Sequence, residues 1–130
     1  MELSPALREF VTERHLAVLT TLRADGTPHS VPVGFTLASA DGGAVVVRVI
    51  TAGPSVKVAN GRRGCRATVT QLDGGRWVTF EGVARVSDEP AAVAFAVAAY
   101  AQRYRQPKER DDRVVIQIEV DRVMCNSGLK

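Results

Sequence analysis

Apolar and polar positions along this chain change period several times, and each change marks an element. Leu7, Phe10 and Val11 share one face at helical spacing behind Ser4-Pro5. That pair is a capping residue followed by a proline suited to a first helical position, so the pattern predicts a helix ending near Arg14. From His15 the period becomes that of strands. Residues 15–23 stop at Ala24-Asp25-Gly26-Thr27-Pro28, residues 29–38 stop at Asp41-Gly42-Gly43, and residues 44–51 run into Gly53-Pro54. Residues 65–72 and 76–86 flank Asp73-Gly74-Gly75, a hairpin signal. Ser87-Asp88-Glu89-Pro90 then opens a long helix with Val93, Val97, Tyr100 and Tyr104 on one face. Residues 113–123 alternate as a last strand.

Six strands joined by short glycine-rich turns predict a mainly β fold of the α+β kind. The expected architecture is a six-stranded antiparallel barrel with flanking helices, in a single domain over residues 1–130. Pro32 and Gly34 interrupt the second strand. Proline donates nothing to a ladder, so the sheet is expected to bulge or open there, and an opening suits a planar ligand.

At 130 residues, 45% hydrophobic and 24% charged, the chain has the composition of an ordinary globular protein. No apolar run is long enough to span a bilayer, and MELSPALREF lacks the features of a signal peptide. Two cysteines form neither a metal spacing nor a disulfide framework, which points to a reducing cytoplasm and no membrane. The net charge of +3 suits an anionic small molecule. Nucleic acid is not expected, because the basic residues lack an aromatic stacking surface or a reading helix.

The motifs of common catalysts are absent: no paired acids, zinc spacing, GxSxG elbow, GxGxxG turn or P-loop. His15 and His29 stand at strand starts and read as satisfied boundary residues. No catalytic side chain and no metal site are assigned, so a bound cofactor is expected to carry the chemistry.

Lys57 changes this picture. It is the first of only three lysines beside fourteen arginines, and it falls in the first turn of a short helix after Thr51, Gly53-Pro54 and Ser55. A cation there opposes the helix dipole, whereas backbone N–H groups and hydroxyls at such a place hold anions, phosphate above all. Two readings stand level: a phosphate site completed by Lys57, or an exposed surface lysine. Arg48 is placed either to reach the same anion or to face solvent. Arg62, Arg63 and Arg66 are candidates for extending the site toward a longer acidic ligand.

The order of these features resembles the flavin- and deazaflavin-binding split β-barrels related to pyridoxamine 5′-phosphate oxidase, the FMN-binding split-barrel type. In that family a strand ending in Thr precedes Ser-x-Lys, matched here by Thr51, Ser55 and Lys57, with Asn60 one turn on. The oxidases commonly carry Arg before that Lys; here it is Val56. ERHLAVLTTLRADGTPHSVPVGFT, RVITAGPSVKVAN, GGRWVTFEG and YAQRYRQP resemble more closely the coenzyme F420-dependent branch with biliverdin reductase-like members, and order and spacing hold from about Leu3 to Val123.

The resemblance implies a homodimer with cofactor at the interface and hydride transfer from reduced F420 to a conjugated acceptor, biliverdin being one candidate. Thr21, Pro32 and Val33 are expected along the deazaflavin ring. Arg48, Val49, Ile50, Thr51, Ser55, Lys57 and Asn60 are expected around the phosphate, and Trp77 is expected from the other subunit. Gln71 and Arg105 are lesser contributors, while Tyr100 and Tyr104 are expected to pack the helix. Two alternatives stand beside this reading: an FMN-dependent oxidoreductase, and a non-catalytic flavin or haem carrier of the same fold. The acceptor and the proton donor are not legible.

Overall fold

A computed structural model describes residues 1–39 and 43–130. The turn expected at Asp41-Gly42-Gly43 lies largely outside the described residues. Helix α1 (Pro5–Phe10) starts where Ser4 Oγ accepts the Leu7 N–H at 3.0 Å. It ends four residues short of Arg14, because the Thr12 N–H and hydroxyl both turn back to the Glu9 carbonyl. Strands β1 (Ala17–Leu22), β2 (Pro28–Val33), β3 (Thr36–Ser39) and β4 (Val45–Ala52) follow. After helix α2 (Val56–Arg62) come β5 (Arg66–Asp73), β6 (Arg76–Ser87), helix α3 (Pro90–Arg103) and β7 (Arg113–Cys125). The Asp73↔Arg76 pair leaves a two-residue hairpin turn, and Gly74 takes the positive φ of 61° that such a turn requires.

All strands belong to one antiparallel sheet in the order β2-β1-β5-β6-β7-β4-β3. Among the described residues seven strands stand where six were expected, because the second stretch breaks at Gly34-Phe35. Its halves, β2 and β3, become the two edges of the sheet and pair with β1 and β4. Phe35 keeps both backbone groups satisfied without a ladder: its N–H donates to Tyr104 Oη at 3.2 Å, and its carbonyl accepts from Arg103 Nη1 at 2.5 Å. The sheet is not closed by hydrogen bonds among the described residues, so the expected six-stranded closed barrel is replaced by an open seven-stranded sheet whose edges are consecutive in the chain.

The inner face carries the core. Leu19, Val47, Val69, Phe80, Ile116 and Ile118 have no exposed surface, as the alternation of side chains along a strand allows. Each such side chain contributes about 1.5–3 kcal/mol over its exposed state. A register shift at Glu81/Gly82 bends the long β6–β7 pair around this core. Helix α3 covers the outer side of the β3–β4–β7 end, with Ala96 buried beneath it.

Candidate functional site

Where β4 hands over to α2, a cleft of about 340 Å³ opens beside the edge strand β2. Five of the expected cofactor residues line it together: Pro32, Val33, Ile50, Thr51 and Lys57. Tyr100, Pro107, Arg110 and Arg113 complete its walls. Lys57 is half-buried, and loss of water pushes its ammonium pKa down. Among the described residues no carboxylate lies within salt-bridge distance of it.

Ser55 caps α2 with its backbone alone. Its side chain makes no capping bond, and its Oγ is buried without a partner. A buried hydroxyl left unpaired costs free energy that a ligand oxygen would recover. With only seven residues, α2 has a weak aligned dipole, so an anion placed at this corner would depend on Lys57 and the Ser55 hydroxyl. These groups fit a phosphate.

Other expected residues serve the scaffold. Thr21 is fully buried, and its Oγ1 accepts from Asn60 Nδ2 at 2.9 Å. Arg63 donates to Asn60 Oδ1 and, at 3.1 Å, to the Leu22 carbonyl. This chain of bonds anchors α2 to β1. Val49 points into the core. Arg48 lies over the Phe95 ring, 5.0 Å from its centroid, and is engaged with α3.

The arginines beyond α2 do not gather at the cleft. Arg66 is held by Glu81 at 2.9 Å and Asp121 at 2.6 Å, which raises its pKa. Arg62 lines a different groove with Arg85. Trp77 belongs to another region in its own chain. Its backbone N–H donates to Asn126 Oδ1 at 2.8 Å beyond the end of β7, whereas the cleft adjoins Arg113 at the start of that strand.

Sequence reasoning missed Tyr100, Arg110 and Arg113 as cleft residues. Tyr100 read as helix packing, and the other two lay in and just after a charged connection with no periodic signal. The reading of Tyr104 as a packing residue holds, with a hydrogen-bonding role added. Gln71 is likewise internal: it donates to the Phe10 carbonyl at 2.9 Å and accepts from Arg103 Nη2 at 2.5 Å. Arg105 faces a separate hollow with Arg14 and Leu16.

The two histidines differ: His15 is satisfied as expected, its Nε2 lying 3.0 Å from Glu13 Oε1, and His29 is not. His29 Nδ1 is buried without a hydrogen-bond partner, so it is not a satisfied boundary residue. His15 joins a cluster in which Glu13, His15 and Asp73 bring potential metal-ligand atoms within 4.8 Å. Arg76 already holds both Glu13 oxygens, at 2.9 and 3.0 Å, and Asp73 Oδ2 at 2.5 Å, so the cluster is an ion-pair network.

A family model described as pyridoxamine 5′-phosphate oxidase matches residues 3–125. The chain is 48% identical over 120 residues to the F420H(2)-dependent biliverdin reductase of Mycobacterium tuberculosis (strain CDC 1551 / Oshkosh), covering 92% of this chain and 85% of that one. Its fold is similar to the crystal structure of a conserved hypothetical protein from Mycobacterium tuberculosis, with a TM-score of 0.77 and 28% identity over 94% of this chain and 83% of the other. It is also similar to a solved F420 reductase, with a TM-score of 0.71 and 21% identity over 90% of this chain and 94% of that one.

Proposed function

We propose, for a chain that belongs to the pyridoxamine 5′-phosphate oxidase family, that it is a coenzyme F420-dependent reductase acting on a conjugated acceptor of the biliverdin type. One observation carries the assignment of the site: Lys57, desolvated and without a carboxylate partner among the described residues, lines a cleft whose edge is the interrupted strand β2. When bound, the deazaflavin supplies the hydride.

The chain's own residues supply binding and orientation. Lys57 and the Ser55 hydroxyl hold the phosphate, with Thr51 beside them. Pro32 and Val33 form the ledge for the ring, and Pro32 offers no N–H that would compete for a ladder partner. In this reading the open sheet is a split barrel, joined by its chain at Gly34-Phe35 and left open on the ligand side. Cys65 and Cys125, both free, agree with a cytoplasmic protein.

The homodimer has its own physical support. Leu16 and Leu72 are 63% and 66% exposed, and Val18, Trp77 and Met124 are exposed on the same outer sheet face. The strand registers make this face continuous: Pro32↔Val18, Val18↔Thr70, Thr70↔Thr79 and Thr79↔Met124 form one row, and Leu72↔Trp77 lies in the next. Exposed apolar side chains gathered on one face, with the bonded Thr70–Thr79 hydroxyls between Val18 and Met124, mark an interaction surface. Pro32 belongs both to this row and to the cleft. A second copy docked here therefore borders the ligand and brings its own tryptophan toward it.

Fluorescence titration with F420 and with FMN tests the reading. Wild-type protein is expected to prefer F420, and Lys57→Ala to lose about tenfold or more in affinity. The reduced complex is expected to be oxidised by added biliverdin. Release of FMN from the purified protein would favour the oxidase alternative. Saturable binding without acceptor-dependent oxidation would favour a carrier.

A further inference from the structure

Away from the cleft, helices α1 and α3 and the edge strand β3 enclose a second hollow of about 370 Å³, a size within the range of small-molecule sites. The hollow and the cleft share no lining residue, and Phe35 separates them. Val33 and Gly34 before it line the cleft, whereas Thr36 and Leu37 after it line the hollow. Val11, Leu37 and Ala99 give the hollow an apolar side, and Gln102 and Thr36 give it neutral polar groups. Among the described residues no acid lines it, but two arginines do, Arg8 from α1 and Arg103 from α3.

Arg103 sets the electrostatics. Its guanidinium is half-buried, and loss of water pushes its pKa down. Every oxygen that it bonds is neutral: the carbonyls of Glu13, Phe35 and His15, and the amide oxygen of Gln71. Among the described residues no carboxylate lies within salt-bridge distance of it. Buried charges are ordinarily paired, so a desolvated cation answered only by dipoles leaves the hollow electropositive. Arg8 adds a second, exposed guanidinium, whose Nη1 lies 3.4 Å from Ser39 Oγ at the end of β3.

We propose that this hollow is a second ligand site, which takes a small carboxylate carrying an apolar body. The carboxylate lies between Arg8 and Arg103, and the body lies on Val11, Leu37 and Ala99. A neutral ligand would displace water from Arg103 without replacing it, whereas a carboxylate supplies the missing counter-charge. Arg8 suits the outer contact because a planar guanidinium fork meets a carboxylate at two points. The site stands independently of the cofactor reading, since it uses none of the cleft residues.

The test uses octanoate as the probe and octanol as its neutral counterpart, with isothermal titration calorimetry on wild-type, R8A, A99F and K57A proteins. Wild type is expected to bind octanoate saturably and octanol about tenfold or more weakly. R8A loses about tenfold in affinity for octanoate, because one charge-assisted contact is gone. A99F fills the apolar side and abolishes binding. K57A binds octanoate as wild type does, since Lys57 lines the other cavity. Absence of saturable octanoate binding by wild type overturns the site, as does equal affinity for octanol, which would mark a merely apolar surface. Loss of binding in K57A with R8A unchanged places the carboxylate in the cleft and overturns the site as well. R8A replaces an exposed side chain and keeps the test valid should A99F fail to fold.

Discussion

The hydroxyl of Tyr104 accepts the backbone N–H of Phe35 across 3.2 Å, joining positions 69 residues apart in the chain. The same hydroxyl donates to the His15 carbonyl at 2.7 Å, and Arg103 beside it donates to the carbonyls of Glu13 and Phe35. The end of α3 thereby replaces the ladder that β2 and β3 lack where they part. Gly34 lies so close to this clasp that a Cβ would meet Tyr100 at 2.9 Å and Tyr104 at 3.0 Å. Tyr104→Phe keeps the ring and strands the Phe35 amide. The expected cost is about 1–3 kcal/mol in denaturant unfolding. Cofactor affinity falls with it, because Pro32 and Val33 lose their fixed support. A variant that unfolds like wild type would show that the hydroxyl carries no such role.

Much of this arrangement was legible in the sequence. Strand alternation and turn chemistry located the strand regions, because most of the strands bury one face and the period follows. Pro32 and Gly34 announced an interruption, yet the outcome, two edge strands in place of one strand, depends on Tyr104 and Arg103 supplying bonds from far along the chain. Within the Thr51, Ser55, Lys57 pattern, Thr51 and Lys57 located one side of the cleft through local spacing. Arg113 reaches it through its pairing with Ala52, and Arg110 lies on the connection that bonds to Gly53, tertiary contacts with no local signature. Thr21 and Asn60 sit near the site in sequence order but bond to each other, which spacing alone does not reveal.

The acid side of the stability curve is expected to report on Glu13. Arg76 hydrogen bonds, followed by His15, lower its pKa from 4.5 to about 2. A carboxylate with a folded pKa below its unfolded one stabilises the fold above the unfolded value and loses that contribution as pH falls through the folded value. The stability difference between wild type and Glu13→Gln should therefore be constant at neutral pH and shrink between 4.5 and about 2. Unfolding midpoints measured across that range check this, and a difference independent of pH would refute the linkage.

Gly82 tests the bend in the sheet. A Cβ there would lie 1.9 Å from the Glu119 carbonyl oxygen and 2.8 Å from its carbon, atoms of the partner backbone that have nowhere to move. Gly82→Ala is expected to destabilise by about 3 kcal/mol or more, at the upper end for overpacked sites. Gly75→Ala, with no atom near the added carbon, serves as the permissive comparison. Equal melting temperatures for the two variants would contradict the close approach at the bulge.

The outer sheet face carries the last prediction, because the proposed cofactor site and the proposed dimer surface meet there. Leu72 stands opposite Trp77 and is exposed, outside the buried core. In a two-fold dimer each substitution acts twice, once from each copy. Burial of a leucine contributes about 1.5–3 kcal/mol, so Leu72→Glu removes about 3–6 kcal/mol and weakens association by a factor of about 100 or more. Sedimentation velocity should show wild type as a dimer and the variant as a monomer, with the fold of each protomer unchanged by circular dichroism. The monomer should also bind F420 more weakly, since it lacks the neighbouring copy beside Pro32. Full affinity in a monomeric variant would place the whole cofactor site within one chain, and a monomeric wild type at high concentration would remove the reason for so apolar a face.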